Sequence, residues 1–146
     1  MLTMILDLWT VFSSGFLSST LLPGNSEIVF YYYLKSSEAS ALLLIGSVSC
    51  GNILGAFINY LAGKGTGKGL KFFKKRKPNL IKYRTPIRFI RKYEKVSLLC
   101  SFLPWVGDPI TYAAGILKVK LKTFLFWVSV GKVSRYSFLS LIESGL

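Results

Sequence analysis

The chain has 146 residues, 51% of them hydrophobic and only 17% charged, with a mean hydropathy of +0.47. A soluble domain this small has too little interior to hide so much apolar side chain, so the composition argues against a water-soluble globule and for an all-α integral membrane protein. Its 19 Lys and Arg stand against six Asp and Glu, for a net charge of +13, and 13 of those cations fall between Lys64 and Lys95. What remains is two nearly neutral apolar blocks. The organisation is one membrane domain over 1–146: a first half over 8–63, a basic connector over 64–95 and a second half over 96–146.

The segment Met1–Asp7 has no basic stretch and no small-residue cleavage site follows it, so no removable signal peptide is expected. From Leu8 to Leu34 the 27 residues hold one charge, Glu27, and Pro23-Gly24-Asn25-Ser26 interrupts them. A crossing takes about 20 residues, and a turn and helix-start signal in mid-run predicts a re-entrant hairpin of two short arms instead. After the polar Lys35–Glu38 link, Ala39–Gly63 supplies 25 uncharged residues and predicts a transmembrane helix. Ser47, Gly51, Gly55 and Asn59 recur four apart along it, a small and polar stripe of the kind that lets helices approach closely in lipid. The stripe is also a candidate face for a second copy of the chain.

The run Gly63-Lys64-Gly65-Thr66-Gly67-Lys68-Gly69 misses the spacing of a phosphate-binding loop and reads as a flexible exit from the membrane. Thr85-Pro86 would open a basic amphipathic helix with Ile87, Phe89, Ile90 and Tyr93 set among Arg88, Arg91, Lys92 and Lys95. Such a helix suits an anionic leaflet, although the same cations are explained equally by topology alone. The flanking apolar blocks argue against nucleic acid. Val96–Leu117 is apolar again and broken by Pro104, Gly107, Asp108 and Pro109, which predicts a second re-entrant hairpin with Asp108 capping the helix that Pro109 begins. Lys118, Lys120 and Lys122 then lead into a 20-residue span, Thr123–Ile142, whose tenth residue is Lys132.

The two halves match. Pro23 and Glu27 are four apart, as are Pro104 and Asp108; Gly51 then follows Glu27 by 24 residues and Gly131 follows Asp108 by 23, a register in which Asn52 pairs with Lys132 and Gly55 with Arg135. A hairpin plus one crossing per half makes the repeat inverted, an arrangement that places a site at the interface of the halves. The positive-inside rule sets both basic stretches in the cytoplasm.

With no His, and with Cys50 and Cys100 isolated in apolar runs, zinc, haem and iron–sulfur sites lack ligands and histidine-dependent nucleophilic catalysis is excluded. No metal, cofactor, disulfide or enzymatic activity is expected. The chemistry is concentrated instead in four ionisable residues at membrane depth, where each costs roughly 2.5–3.5 kcal/mol to insert. Lys132 and Arg135, three apart on one helix face, would bind an anionic headgroup, and Glu27 and Asp108 would take up protons and gate. Each has a structural alternative. Asp108 could only cap a helix, Glu27 could only complement a helix dipole, Arg135 could be a static partner, and Lys132 could pair or snorkel. Asn25, Gly51, Asn52, Gly55, Asn59, Pro104 and Gly107 would shape the cavity around them.

At these residues the sequence resembles the DedA family of VTT-domain membrane proteins, in its short bacterial YqaA-type branch. The resemblance rests on Leu21-Leu22-Pro23-Gly24-Asn25-Ser26-Glu27, Gly51-Asn52-x-Leu54-Gly55, Leu103-Pro104-x-Val106-Gly107-Asp108, Ala114-Gly115 and Gly131-Lys132-x-x-Arg135-Tyr136, in order over nearly the whole chain. It implies paired re-entrant hairpins in the bacterial inner membrane and movement of lipids across it, including undecaprenyl phosphate or phospholipid. Larger members carry a further acid where this chain has Ser18 and Ser19, and arginines where it has Ser101 and Gly107. The expected function is a multi-pass inner-membrane lipid transporter or flippase for an anionic lipid phosphate, acting as a homo-oligomer. The alternatives are a small ion or solute transporter of the same architecture and a non-transporting interaction or assembly protein.

Overall fold

The computed structural model describes residues 1–20, 25–72, 98 and 107–143, and every regular element among them is helical. We number the helices α1 (Leu2–Thr20), α2 (Asn25–Ser36), α3 (Ala41–Phe72), α4 (Gly107–Ile116) and α5 (Leu121–Glu143). The Pro23-Gly24 turn, Cys100, Pro104 and the amphipathic helix expected from Pro86 lie outside the described residues.

The first apolar run divides unequally, which corrects the expectation of two short arms. Helix α1 begins at Leu2 rather than Leu8, because Asp7 does not interrupt it: its carboxylate accepts a 2.6 Å hydrogen bond from Ser37 Oγ. With 19 residues and a hydropathy of 1.2, α1 is long and apolar enough to cross a membrane. Helix α2 has 12 residues, about 18 Å, and is too short. Ser26 Oγ donates to Ser18 Oγ at 3.0 Å near the turn, while Ser37 meets Asp7 at the far end, so α2 runs antiparallel to α1.

Ser40 opens α3, its hydroxyl accepting from Leu43 N and its carbonyl from Leu44 N. The segment Ala41–Thr66, with a hydropathy of 2.0, is the second stretch able to cross a membrane. The helix does not loosen at Gly63 as expected but continues to Phe72. Two observations explain this. Thr66 Oγ1 lies 2.9 Å from the Ala62 carbonyl of its own helix and 2.9 Å from Tyr112 Oη on α4, and Gly63 sits directly against the α4 backbone.

All the other helices gather around α3. Helix α1 lies parallel to it, pinned by Ser47 Oγ on the Leu8 carbonyl (2.6 Å) at one end and Asn59 Nδ2 on the Ser19 carbonyl (2.7 Å) at the other. Between those bonds the helices touch backbone to backbone. A Cβ on Gly15 would collide with the Val48 carbonyl, and one on Gly51 with the Phe12 carbonyl. The Ser47–Asn59 stripe is therefore occupied by α1 of the same chain, which corrects the expectation that it offers a face to a second copy. Gly63 and Gly115 repeat the device between α3 and α4, against the carbonyls of Tyr112 and Tyr60.

Helix α4 starts with Asp108 beside Ser19 and continues past Gly63, and so runs parallel to α3. It ends in a turn where Val119 N bonds the Ala114 carbonyl (3.1 Å) and Lys118 N the Gly115 carbonyl (3.0 Å). This is a Schellman closure with Lys118 at φ 56° in the position that favours glycine. Helix α5 returns antiparallel to α3, from the Tyr60–Phe124 ring contact (4.5 Å) to Asn52 against Tyr136. Thus α2 and α5 run against α3 and with each other, while α1 and α4 run with α3. The core falls into two apolar clusters. One forms around Val11, Phe30, Leu44 and Val48, the other around Tyr60, Ile110, Phe124 and Val128.

Candidate functional site

Between the two clusters lies a polar layer to which every helix contributes. Helix α1 supplies its last turn, α2 its first, α4 its first, and α3 and α5 their middle turns. Lys132 is the twelfth of the 23 residues of α5. The four charges singled out in the sequence meet here as two pairs.

Arg135 donates through both Nε, at 2.8 Å, and Nη2 to Glu27 Oε1. Arg135 is 9% exposed and Glu27 36%, so the guanidinium is inside while the carboxylate reaches the rim. Lys132 is 3% exposed, and its Nζ stands 3.8 Å from Asp108 Oδ1. That is an ion pair longer than a hydrogen bond. Asp108, 26% exposed, is held by a different donor, Ser19 Oγ at 3.1 Å. Its carboxylate thus faces Ser19 and Lys132, beyond the capping role that its position at the start of α4 suggested. The Glu27–Arg135 pair joins residues 108 positions apart in the chain, and the Asp108–Lys132 pair joins the consecutive helices α4 and α5. Breaking a buried pair by removing one partner is costly, typically 3–5 kcal/mol, because it strands the other charge.

A second set of contacts, uncharged, backs the first. Tyr136 is fully buried and accepts from Asn52 Nδ2 at 2.8 Å. Its hydroxyl lies 2.9 Å from Ser26 Oγ. Since the single proton of Ser26 goes to Ser18, Tyr136 must be the donor in that bond. The result is a directed chain from α3 through α5 and α2 to α1. Its first member keeps one open valence: Asn52 Oδ1 is buried without a partner.

Of the expected cavity residues, Asn52 belongs to this chain, Asn59 fixes Ser19, and Gly51 and Gly55 admit α1. Asn25 and Gly107 are the first residues of α2 and α4, and Pro104 lies outside the described residues. Sequence reasoning did not assign Ser19, Ser26 or Tyr136. The signals were the Ser18-Ser19 pair, noted there only as a missing acid, and the presence of Ser26 and Tyr136 in the motifs that carry the resemblance. The arrangement can exchange counter-ions. Two inward cations on one face of α5 can take an oxyanion wherever the carboxylates release them, and protonation is what releases a carboxylate.

The VTT domain family model matches residues 7–144. The chain is 34% identical over 131 residues to inner membrane protein YqaA of Escherichia coli (strain K12), covering 90% of this chain and 87% of that protein. The same figures hold for inner membrane protein YqaA of Shigella flexneri. An uncharacterized protein of Haemophilus influenzae is 35% identical over 137 residues, covering 86% of this chain and 80% of the relative. No solved structure matches the chain.

Proposed function

The chain belongs to the VTT-domain (DedA) family, and from that premise and the geometry of its polar layer we propose that it carries an anionic lipid phosphate across the membrane. It is a multi-pass protein of the bacterial inner membrane, a reading supported by its relatives' name and by two helices long and apolar enough to cross a membrane. The fold we infer is an inverted repeat, each half a re-entrant hairpin followed by a transmembrane helix. Two features support this. The directions of α2 and α3 are reversed in α4 and α5, and α1 ends level with the middle of α5 rather than at its end.

The observation that carries the function is the pair of cation–carboxylate contacts, one from α2 and one from α4, meeting on one face of α5. In this reading Lys132 and Arg135 bind the phosphate. Glu27 and Asp108 are the counter-ions it displaces, and their protonation couples the exchange to proton concentration. No nucleophile–base pair is invoked, so the role is carriage rather than catalysis. The large apolar side chains turned outward, Trp9, Phe126 and Phe138 among them, would face lipid or a second copy in a homo-oligomer. Crosslinking in native membranes tests the second option, and a monomer alone would refute it.

The deciding experiment is translocation of headgroup-labelled lipids in liposomes holding the pure protein, with undecaprenyl phosphate compared with phospholipids. Wild type should accelerate one of them. Lys132→Gln and Arg135→Gln should each lose roughly 10–100-fold, the worth of one charged hydrogen bond. Flux of a water-soluble anion without lipid dependence would instead establish a solute transporter, and no flux from folded protein would make the charges an assembly device.

A further inference from the structure

Three residues picked out by the sequence converge on one that it left unassigned. Ser19 is 2% exposed, at the last turn of α1. Asn59 Nδ2 donates to its carbonyl at 2.7 Å. Gly55 makes room for it: a Cβ there would stand 2.7 Å from Ser19 Cβ, closer than real contacts allow. Asp108 Oδ1 receives its hydroxyl at 3.1 Å, the same oxygen that faces Lys132 at 3.8 Å. A helix hydroxyl ordinarily turns back to a carbonyl of its own helix, as Thr10 and Ser13 do on this very helix. Ser19 instead crosses to α4.

We propose that Ser19 is the positioning residue of Asp108: it fixes Oδ1 toward Lys132 and holds the carboxylate ionised until a proton or an anion competes for the site. The physical ground is that a donor on a carboxylate oxygen favours the charged form. Among the described residues the charged groups acting on Asp108 are Lys132 and Arg135, both from α5. They belong to the binding site and become engaged when an anion arrives. Glu27 is held by Arg135, and the neighbouring α3 side chains named here, Asn52 and Asn59, carry no charge. Among the described residues Ser19 is therefore the partner of the Asp108 carboxylate that persists when the cations turn to a ligand. The inference deepens the proton-coupled reading given above, but its test requires no transport.

The test is a pH titration of the full chain in lipid nanodiscs by difference infrared spectroscopy. It follows the stretch of the protonated carboxyl that disappears in Asp108→Asn. Losing one hydrogen bond to the ionised form should move the midpoint of that band in Ser19→Ala to the alkaline side by about one pH unit. Asn59→Leu, which frees the Ser19 carbonyl, should move it part of the way. Ser47→Ala removes an equally short bond between α1 and α3, at 2.6 Å, but far from Asp108, and should leave the midpoint in place. A Ser19→Ala midpoint equal to wild type, or an equal shift in Ser47→Ala, overturns the proposal. If Ser19→Ala does not fold, Ser19→Cys keeps the volume with a poor donor and is read in the same way. Failure of the wild type to move lipid, with the Ser19 shift present, would sink the transport reading and leave this one standing.

Discussion

Arg135 brings two of its nitrogens onto one oxygen of Glu27, a residue 108 positions earlier in the chain. Eight residues further along both helices, Lys35 and Glu143 form a second pair at 3.1 Å with the polarity reversed, the base now on α2 and the acid on α5. The two pairs differ in depth, since Lys35 is 55% exposed and Arg135 only 9%. Glu27→Ala should therefore destabilise the protein by about 2 kcal/mol, below the 3–5 of a fully buried pair because Glu27 itself reaches the rim. Glu27→Gln with Arg135→Gln should recover part of that loss, and Lys35→Ala should leave the melting temperature unchanged. Thermal unfolding in detergent micelles compares all three.

Tyr136→Phe is the test of the uncharged chain. It removes one hydroxyl but leaves Asn52 Nδ2 and Ser26 Oγ each short of a bond inside the core. The expected cost is about 1–3 kcal/mol. Adding Asn52→Leu should cost less than the sum of the two single changes, because it removes the stranded amide. Chemical unfolding of the four proteins supplies the cycle.

Glycines on α3 and α4 should divide by what surrounds them. At Gly115 an added methyl meets the Tyr60 carbonyl, whereas at Gly46 nothing lies within 4 Å. Gly115→Ala should lose about 1–3 kcal/mol through forced separation of α3 and α4. Gly46→Ala should be neutral or gain up to about 1 kcal/mol from helix propensity. The folded fraction after detergent extraction distinguishes them.

Lys118 occupies a left-handed backbone position, at φ 56°, and its side chain is exposed. Lys118→Gly relieves a cost of about 1–2 kcal/mol and regains part of it as unfolded-state freedom lost on folding, for a net gain of about 0.5–1 kcal/mol. A higher melting temperature for Lys118→Gly, with Lys118→Val lower than wild type, is the expected order.

The sequence was most informative where a single residue type carries an unmistakable cost. Charges at membrane depth and a long uncharged run are of that kind, and Glu27, Asp108, Lys132, Arg135 and α3 were all legible. Partnership was less so. That Gly51 packs is written in its spacing, but that it packs on Phe12 of the same chain depends on Gly15, whose own spacing says nothing. Ser18, Ser19 and Ser26 look like ordinary small helix residues until the fold brings α1, α2 and α4 to one level. The continuation of α3 past Gly63 was illegible for the same reason: its glycine-rich run is a loop signal by local propensity, and the α4 backbone overrides it.

The glycine contacts also bear on the order in which the protein is made. Gly63 emerges from the ribosome roughly 50 residues before Tyr112, whose carbonyl closes over it. Until α4 arrives, the stretch of α3 around Tyr60 and Gly63 lacks the neighbour that packs on its backbone, while its near half is already sheathed by α1. The nascent first half is in consequence an unfinished object that the second half completes. A translation pause in the basic connector would prolong the interval in which that stretch is exposed to the membrane's quality-control proteases.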